Sequence, residues 1–347
     1  MTAPLLTALQ AVSERRNLTA EQAVEAFGVI MRGEATPALI AGLLMGLRAK
    51  GETADEVAGA AAALRSTMVT VRPSAGSPLV DTCGTGGGGV STFNISTAAG
   101  FVVAGAGARV AKHGNRSYTS KCGSADVLEA LGVDIGVAAD RAAQMLDQVG
   151  MVFLFAPNFH PAMRHVGPTR KELGVATIMN LLGPLANPAG VTRQVIGVAD
   201  RSRAPLMAEA LLRLGAEHAL VVHGEVGMDE ISPTGRTSVW EVKGGEVTTW
   251  TLDPGSYGLA WERVEDLVGG DPSHNAARIQ RLLDAGGAAR RAASPEEAAR
   301  RAVVLNAAAG LLVSGLAESF AEATGMAAAA LASGRALGVL ERLRRVE

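Results

Sequence analysis

The first seventy residues read as a series of short helices with clear punctuation. Thr19-x-x-Gln22 and Thr53-x-x-Glu56 are capping boxes, and Thr36-Pro37 places proline at a first helical position. Gly33 and Gly51 fit the matching stops. The stretch RPSAGSPL (72–79) then breaks all apolar periodicity and marks a domain boundary. Beyond it, short apolar runs alternate with Ala-rich helical stretches. LVDTC is followed by a helical Ile95 to Gly107, ARVAK by helices through Val127 to Leu131 and Asp140 to Val149, and then comes MVFLF. Apolar runs at Gln194 to Val198 and Ala219 to Val222, with a helical Ala204 to Leu214 between them, continue the pattern. Strands alternating with helices predict a mostly parallel sheet and an α/β fold. SVWEVKGGEVTTWTL, with Gly244-Gly245 between two alternating runs, predicts a hairpin. The C-terminal third is helical again, opened by Ser294-Pro295-Glu296-Glu297, which reads as another capping box. The expected organisation is a helical domain over residues 1–72 and an α/β domain over 79–347.

Composition narrows the functional classes. The 347 residues carry 32 Lys+Arg against 34 Asp+Glu, a net charge of -2, so no global field recruits nucleic acid or a membrane surface and an anion must be caught locally. The 42 glycines follow no G-x-y repeat and lie between periodic segments, which excludes collagen-like and low-complexity readings. The N-terminal stretch lacks a basic region followed by an apolar run, so no secretory signal is expected and the expected location is the cytoplasm. The apolar runs Ala98 to Ala108 and Ala307 to Val313 fall short of the roughly 20 residues that span a bilayer. Cys83 and Cys122 form no ligand cluster and read as packing residues.

Four segments carry the candidate chemistry. DTCGTGGGG (81–89) follows a strand and precedes TFNIST (92–97) and its helix, where glycine backbone N–H groups and a helix N-terminus suit a phosphate. Its spacing is neither the Walker nor the dinucleotide pattern. KHGNRSYTSKCGSAD (112–126) again follows a strand and concentrates Lys112, Arg116 and Lys121 with several hydroxyls, which suits a phosphate ester. Within it His113 reads as an orienting or satisfied histidine, because no carboxylate lies near it in sequence. GMDEIS (227–232) follows LVVHG at a strand's C-terminal end, and its adjacent carboxylates Asp229 and Glu230 suit Mg²⁺ shared with substrate phosphates. HPAMRHVGPTRKELG (160–174) leads into NLLGPLANP (180–188). There Arg170 has the geometry to fork onto a small carboxylate and the Pro/Gly turn to wall an apolar slot.

Taken together, these segments in this order resemble the anthranilate phosphoribosyltransferase family over essentially the whole chain, with VGGDP (268–272) as a further match. The resemblance implies a small N-terminal helical domain, joined by a helical segment around 170–190, that mediates a homodimer. It also implies a large α/β domain of the nucleoside phosphorylase and phosphoribosyltransferase type. The implied reaction joins anthranilate and 5-phosphoribosyl 1-diphosphate (PRPP), giving N-(5-phosphoribosyl)anthranilate and pyrophosphate in tryptophan biosynthesis. By position, the family's PRPP surface falls on Gly84, Gly87, Gly88, Thr92, Asn94, Ile95, Ser96 and Thr97, and on Lys112, His113, Gly114, Asn115, Arg116, Ser117, Tyr118, Thr119, Ser120 and Ser124. Ser96, Asp229 and Glu230 match its magnesium positions, and Gly84, Asn115, His160, Arg170 and Pro184 its anthranilate contacts. Lys112 and Arg170 are the implied catalytic residues, through charge stabilisation and substrate positioning. No general base is needed, because an aniline-type nitrogen is already unprotonated at neutral pH.

One position departs from the family's usual GTGGDG: Gly88 stands where an acid is expected. Losing that carboxylate predicts a changed magnesium dependence with activity retained. Two rival readings share the fold. A pyrimidine nucleoside phosphorylase would use phosphate and a nucleoside, and Arg170, the Asp229-Glu230 pair and KHGNR speak against it. A non-catalytic relative that binds nucleic acid is disfavoured by the intact loops and the -2 charge.

Overall fold

The computed structural model describes residues 2–74, 76–117, 121–284 and 294–346. Helices α1 (Ala3–Ser13), α2 (Ala20–Met31), α3 (Pro37–Lys50) and α4 (Ala54–Arg65) come first. The Thr19 and Thr53 hydroxyls accept from the N–H groups of Gln22 and Glu56, and both reciprocal side-chain bonds are made. Thr36 caps α3 in the same way, accepting from Leu39 N–H. Glu56 does more than close a box. It is fully buried, and its two oxygens accept from Leu18 N–H (2.9 Å), Thr53 N–H (2.8 Å) and the buried Lys50 ammonium (3.0 Å). One charged side chain thus ties the start of α4 to the loop before α2 and to the end of α3, with no lone charge left in the core.

After this layer the chain alternates as β1 (Leu79–Gly84), α5 (Ile95–Gly105), β2 (Arg109–Gly114), α6 (Ser124–Ala130), α7 (Ala139–Val149) and β3 (Met151–Phe155). Helices α8 (Ala156–Phe159), α9 (Gly167–Leu173) and α10 (Met179–Leu185) then return to the first layer. There α9 packs on α3 and α10 on α4, and Arg65 Nε donates to the Leu185 carbonyl at 2.6 Å. The sheet resumes with β4 (Arg193–Gly197), α11 (Ala204–Arg213) and β5 (His218–Gly224), and ends in the hairpin β6 (Thr237–Lys243) and β7 (Glu246–Leu252). Helices α12 (Pro272–Asp284), α13 (Pro295–Ser314), α14 (Phe320–Ala332) and α15 (Arg335–Arg345) complete the chain. The predicted box at Ser294 is only half made. Its hydroxyl accepts from Glu297 N–H, but the Glu297 carboxylate is held by Arg300 at 2.8 Å and Arg301 at 3.0 Å, stronger partners than a neutral N–H.

The sheet runs β3-β2-β1-β4-β5-β6-β7, parallel through β5 and antiparallel over the last two pairs. Gly244 and Gly245 both have positive φ, the signature of a tight hairpin turn. Alternate residues of β4 and β5 feed two separate cores. Val195, Leu220 and Val222 join the cluster under α5 and α13, while Ile196, Ala219 and Val221 join the helical layer and α11. Burial on both faces is why these strands read as unbroken apolar runs. No single helix among the described residues is long and apolar enough to cross a membrane.

The strand order reverses at β1, whose neighbours β2 and β4 belong to connections that leave in opposite directions. In an open α/β sheet the crevice beyond the carboxyl ends of such a pair is where ligands bind. Strands β1, β2, β4 and β5 end at Gly84, Gly114, Gly197 and Gly224, so GTGGGG, KHGNR and GMDEIS all open onto that one edge.

Candidate active site

At the β1/β4 switch point the acidic loop folds back over the strand ends. A Cβ on Gly197 would collide with the Asp229 carbonyl, and one on Gly84 would come within 2.7 Å of Asp229 Oδ2. Only glycine at both strand ends lets Asp229 lie across them. Asp229 Oδ2 accepts from Gly86 N–H at 2.9 Å, and Gly89 N–H donates to the Gly227 carbonyl at 3.0 Å, so the glycine loop and the acidic loop hold one another. Glu230 Oε1 accepts from the Thr92 hydroxyl at 2.6 Å. Its Oε2 is buried with no hydrogen-bond partner, beside a cavity of about 10 Å³ lined by Thr82, Ser96, Asp229 and Asn306. Burial pushes both carboxyls above their ordinary range, and for Glu230 the neighbouring Asp229 adds to it. A buried acid with an idle oxygen is a place for a cation.

Asn306 on α13 was not singled out by sequence, yet it fixes this loop. Its amide accepts from Ile231 N–H (3.0 Å) and donates to the Ile231 carbonyl (2.9 Å), gripping the peptide next to Glu230. An asparagine inside an Ala-rich helix was the available signal.

Residues 112–126 read as one basic loop in the sequence, and the structure divides them. Lys112, His113 and Gly114 are the last residues of β2, and the Lys112 side chain is 1% exposed. Its ammonium donates to the Thr82 carbonyl and to Ser96 Oγ (3.3 Å). Burial lowers its pKa while Asp81 opposes the change. Asp81 is also fully buried and accepts from His113 N–H (3.2 Å) and Asn187 Nδ2 (2.8 Å), so the NP turn is anchored beneath the site. Arg116 is taken by Glu129 (2.8 Å) and Asp126 (2.9 Å), and its guanidinium lies 5.6 Å from the Phe155 ring centroid. The concentrated positive charge of the sequence is therefore balanced by acids of α6, whose spacing from Arg116 gave no helical pairing signal. Lys121 is exposed. The Asn115 carbonyl accepts from Ser124 Oγ (3.3 Å) and Ala125 N–H (3.2 Å), which closes the loop onto the start of α6. Tyr118, Thr119 and Ser120 lie outside the described residues.

His113 and His160 meet edge on, Nε2 to Nε2 at 3.2 Å, each only 6% exposed. His113 Nδ1 lies 3.1 Å from the Gly183 carbonyl, which places the proton on Nδ1 and leaves Nε2 to accept from His160. His160 Nδ1 makes no hydrogen bond. Burial drives both pKa values down, His113 to about 3 with a further contribution from His160, and His160 to about 4. Both rings are thus neutral at physiological pH. The same turn holds Pro184, buried, with its carbonyl accepting from Gln194 Nε2 at 2.9 Å. Arg170 stands half-buried in the last turn of α9, beyond the turn that carries His160. The arrangement is a glycine loop flanked by two hard carboxylates, next to a neutral imidazole-lined wall.

Comparisons with known proteins agree with this geometry. The model of the glycosyl transferase family a/b domain matches residues 76–337, and that of the family's helical bundle domain matches 6–68. An anthranilate phosphoribosyltransferase from Mesorhizobium japonicum is 48% identical over 340 residues, covering 98% of this chain and 97% of that protein. This chain belongs to the anthranilate phosphoribosyltransferase family. Its relatives include anthranilate phosphoribosyltransferase 2 of Streptomyces coelicolor, 49% identical over 94% of this chain and 95% of that protein. The Thermus thermophilus family structure superposes with a TM-score of 0.90 at 44% identity, covering 98% of each chain. The Saccharomyces cerevisiae family structure, in complex with PRPP and Mg, does so at 0.89 and 28% identity, covering 100% of this chain and 98% of that one.

Proposed function

We propose that this protein transfers the phosphoribosyl group of PRPP to the amine of anthranilate, releasing pyrophosphate, in tryptophan biosynthesis. The observation that carries the reading is the acidic loop closed onto the glycine cradle at the switch point, in a chain of this family. Membership alone would fit a relative that has lost its site, and the reading is supported further by the glycine loop and both carboxylates meeting at one strand edge. The C1–O bond to the diphosphate breaks, the anthranilate nitrogen forms the new C1–N bond, and its proton passes to water. The backbone N–H groups of Gly87 and Gly88, beside the loop donors that Gly197, Asp229 and Gly227 already take, and those at the start of α5 hold the departing negative charge. Arg170 takes the anthranilate carboxylate, and Asn115, His160 and Pro184 border its entry. Lys112 offsets charge from beneath the cradle when it leaves its carbonyl partner. Tyr118, Thr119 and Ser120, with Ser117 and Ser124, belong to the same phosphoribosyl surface by family position.

The donor set suits Mg²⁺. Glu230 Oε2 is buried without a partner, both acids are hard ligands, and Ser96 Oγ lines the same small cavity. Asp229, Glu230 and Ser96 would hold the ion, with substrate phosphate oxygens as its further ligands. Bound there, the ion neutralises charge on the leaving diphosphate. A homodimer through the helical layer is supported by exposed Leu6 (50%) and Val175 (45%), and by a 230 Å³ groove between α3 and α9 lined by Ala38, Ala41 and Leu173. The absence of a spanning helix among the described residues is compatible with a cytoplasmic site of action.

The test follows anthranilate fluorescence with purified protein, PRPP and a magnesium titration. Loss of signal that requires both PRPP and Mg²⁺ is expected. A folded protein that consumes no anthranilate at any magnesium concentration, or that cleaves uridine or thymidine with phosphate, would overturn the reading.

A further inference from the structure

Asn94, at the start of α5, has φ 56°, a left-handed conformation rare outside glycine. Its side chain is not aimed at the cradle, because both ends of its amide are engaged inside the protein. Nδ2 donates to the Cys122 carbonyl at 3.1 Å, and Oδ1 accepts from Asn275 Nδ2 at 2.8 Å. Asn275, on α12 and fully buried, in turn accepts from Gly270 N–H through Oδ1 at 2.8 Å. The chain begins at a backbone N–H and ends at a backbone carbonyl. Every amide orientation along it is therefore fixed: Gly270 N–H to Asn275, Asn275 to Asn94, Asn94 to Cys122 C=O.

The two ends of this relay carry the two halves of the substrate surface. Asn94 opens the Ser96–Thr97 helix start on the diphosphate side. Cys122 precedes Gly123, where a Cβ would meet the Asn115 carbonyl and Arg116 C at 2.7 Å, so its peptide is packed on the KHGNR backbone of the phosphoribosyl side. The Gly270 end is equally rigid. Gly269 N–H donates to the Ser91 carbonyl at 2.9 Å, and a Cβ on Gly269 would come within 2.5 Å of the Thr92 carbonyl. Arg278, one turn along α12, lies 4.3 Å from the Phe93 ring centroid and donates to the Val268 carbonyl at 3.1 Å.

We propose that Asn275 is a positioning residue for PRPP: through Asn94 it sets the spacing between the diphosphate-binding start of α5 and the phosphoribosyl loop after β2. The inference rests on the reading that these two segments hold PRPP. A break anywhere propagates. If Asn275 presents an oxygen to Asn94, the Asn94 amide must either face oxygen with oxygen or turn over and abandon Cys122.

The test measures PRPP affinity by calorimetry, with Mg²⁺ and without anthranilate, alongside steady-state kinetics. Wild-type turnover examines the reaction, and PRPP binding examines the relay, so the two fail separately. Asn275→Ala should weaken PRPP binding and raise its KM about tenfold, about 1.4 kcal/mol, and leave the KM for anthranilate within about twofold. Asn275→Asp keeps shape and the Gly270 acceptor but loses the donor, and should show the same split at pH 8; it serves alone if the alanine variant does not fold. Combined with Asn94→Ala, neither should add a further loss, because both cut one chain. PRPP affinity within about twofold of wild type despite a lowered Tm would reduce Asn275 to a packing residue and overturn the proposal, as would fully additive losses.

Discussion

Replacing Gly88 by aspartate restores the carboxylate that the family usually carries in its glycine loop, and the structure sets what that should do. The φ of Gly88 is not in the left-handed region, so the backbone accepts a side chain. A Cβ there would lie 3.4 Å from Asp229 Oδ1 and 3.1 Å from the Gly227 carbonyl, a close fit that asks for a few tenths of an ångström of give. The new carboxylate then stands beside that of Asp229, at a charge separation taken as roughly 5 Å, while Asp229 accepts from Gly86 N–H. At an effective dielectric of about 20–40, two like charges at that separation repel by about 2–3 kcal/mol. Without divalent cation, Gly88→Asp should therefore lower stability by an amount of that order. Mg²⁺ between the two carboxylates reverses the sign of the interaction, so Tm should rise more steeply with magnesium than in the wild type, by linkage of binding to folding. The assay is calorimetric Tm against Mg²⁺ concentration for both proteins, with the magnesium profile of anthranilate consumption measured in parallel. Superimposable Tm curves and superimposable activity profiles would refute the argument, since the position would then not sense the metal.

Three other outcomes follow from the site. The pKa values of His113 and His160 lie below the ordinary histidine value, so the native state stays neutral while the unfolded chain protonates. Stability is then fully present above about pH 6.5 and is lost as pH falls toward 4, by about 2 kcal/mol per histidine at pH 5; denaturant midpoints at pH 7.5 and 5 should show it, and His160→Gln should flatten the slope. Lys112→Met removes the buried ammonium that donates to the Thr82 carbonyl and Ser96 Oγ and should cost about 1–3 kcal/mol of stability together with most of kcat, so a variant with wild-type Tm and turnover would contradict this role. Gly197→Ala drives a methyl into the Asp229 carbonyl and should displace the acidic loop, lowering kcat/KM at least about 100-fold for about 1–3 kcal/mol of stability, read from steady-state kinetics and thermal melts.

Much of this molecule is legible in its sequence because local chemistry and global architecture agree. The Thr19 and Thr53 boxes, the Gly244-Gly245 turn and the alternation of apolar runs each correspond to the element they suggest. Ser294 shows the limit: the motif is present, but two arginines one turn later outbid a backbone N–H for Glu297. The same limit governs charge. Arg116 reads as a free cation because Asp126 and Glu129 lie 10 and 13 residues away, and only the fold brings them to it. Lys112 closes the run ARVAK, but nothing in that run shows its ammonium buried against the Thr82 carbonyl and Ser96 Oγ. Asn275 and Asn306 are invisible for a different reason. Asn275 meets the Asn94 side chain 181 residues away and Asn306 the backbone of Ile231 75 residues away, separations that leave no local pattern.

The helical layer is assembled from two stretches of chain with three strands of the sheet made between them. Ion pairs then tie this layer to α11 and the turn before it: Arg203 to Glu52 spans 151 residues and Arg213 to Asp55 spans 158. During synthesis at about 5–20 residues per second, the first four helices wait on the order of 6–24 s for the segment that covers them. Throughout that interval Leu43, Leu44, Leu47 and Leu64, buried in the finished protein, have only the other residues of the first four helices for cover. The nascent N-terminal helices thus expose, until residue 185 is made, the face that α9 and α10 later cover, and a slow codon placed before residue 170 would lengthen that exposure.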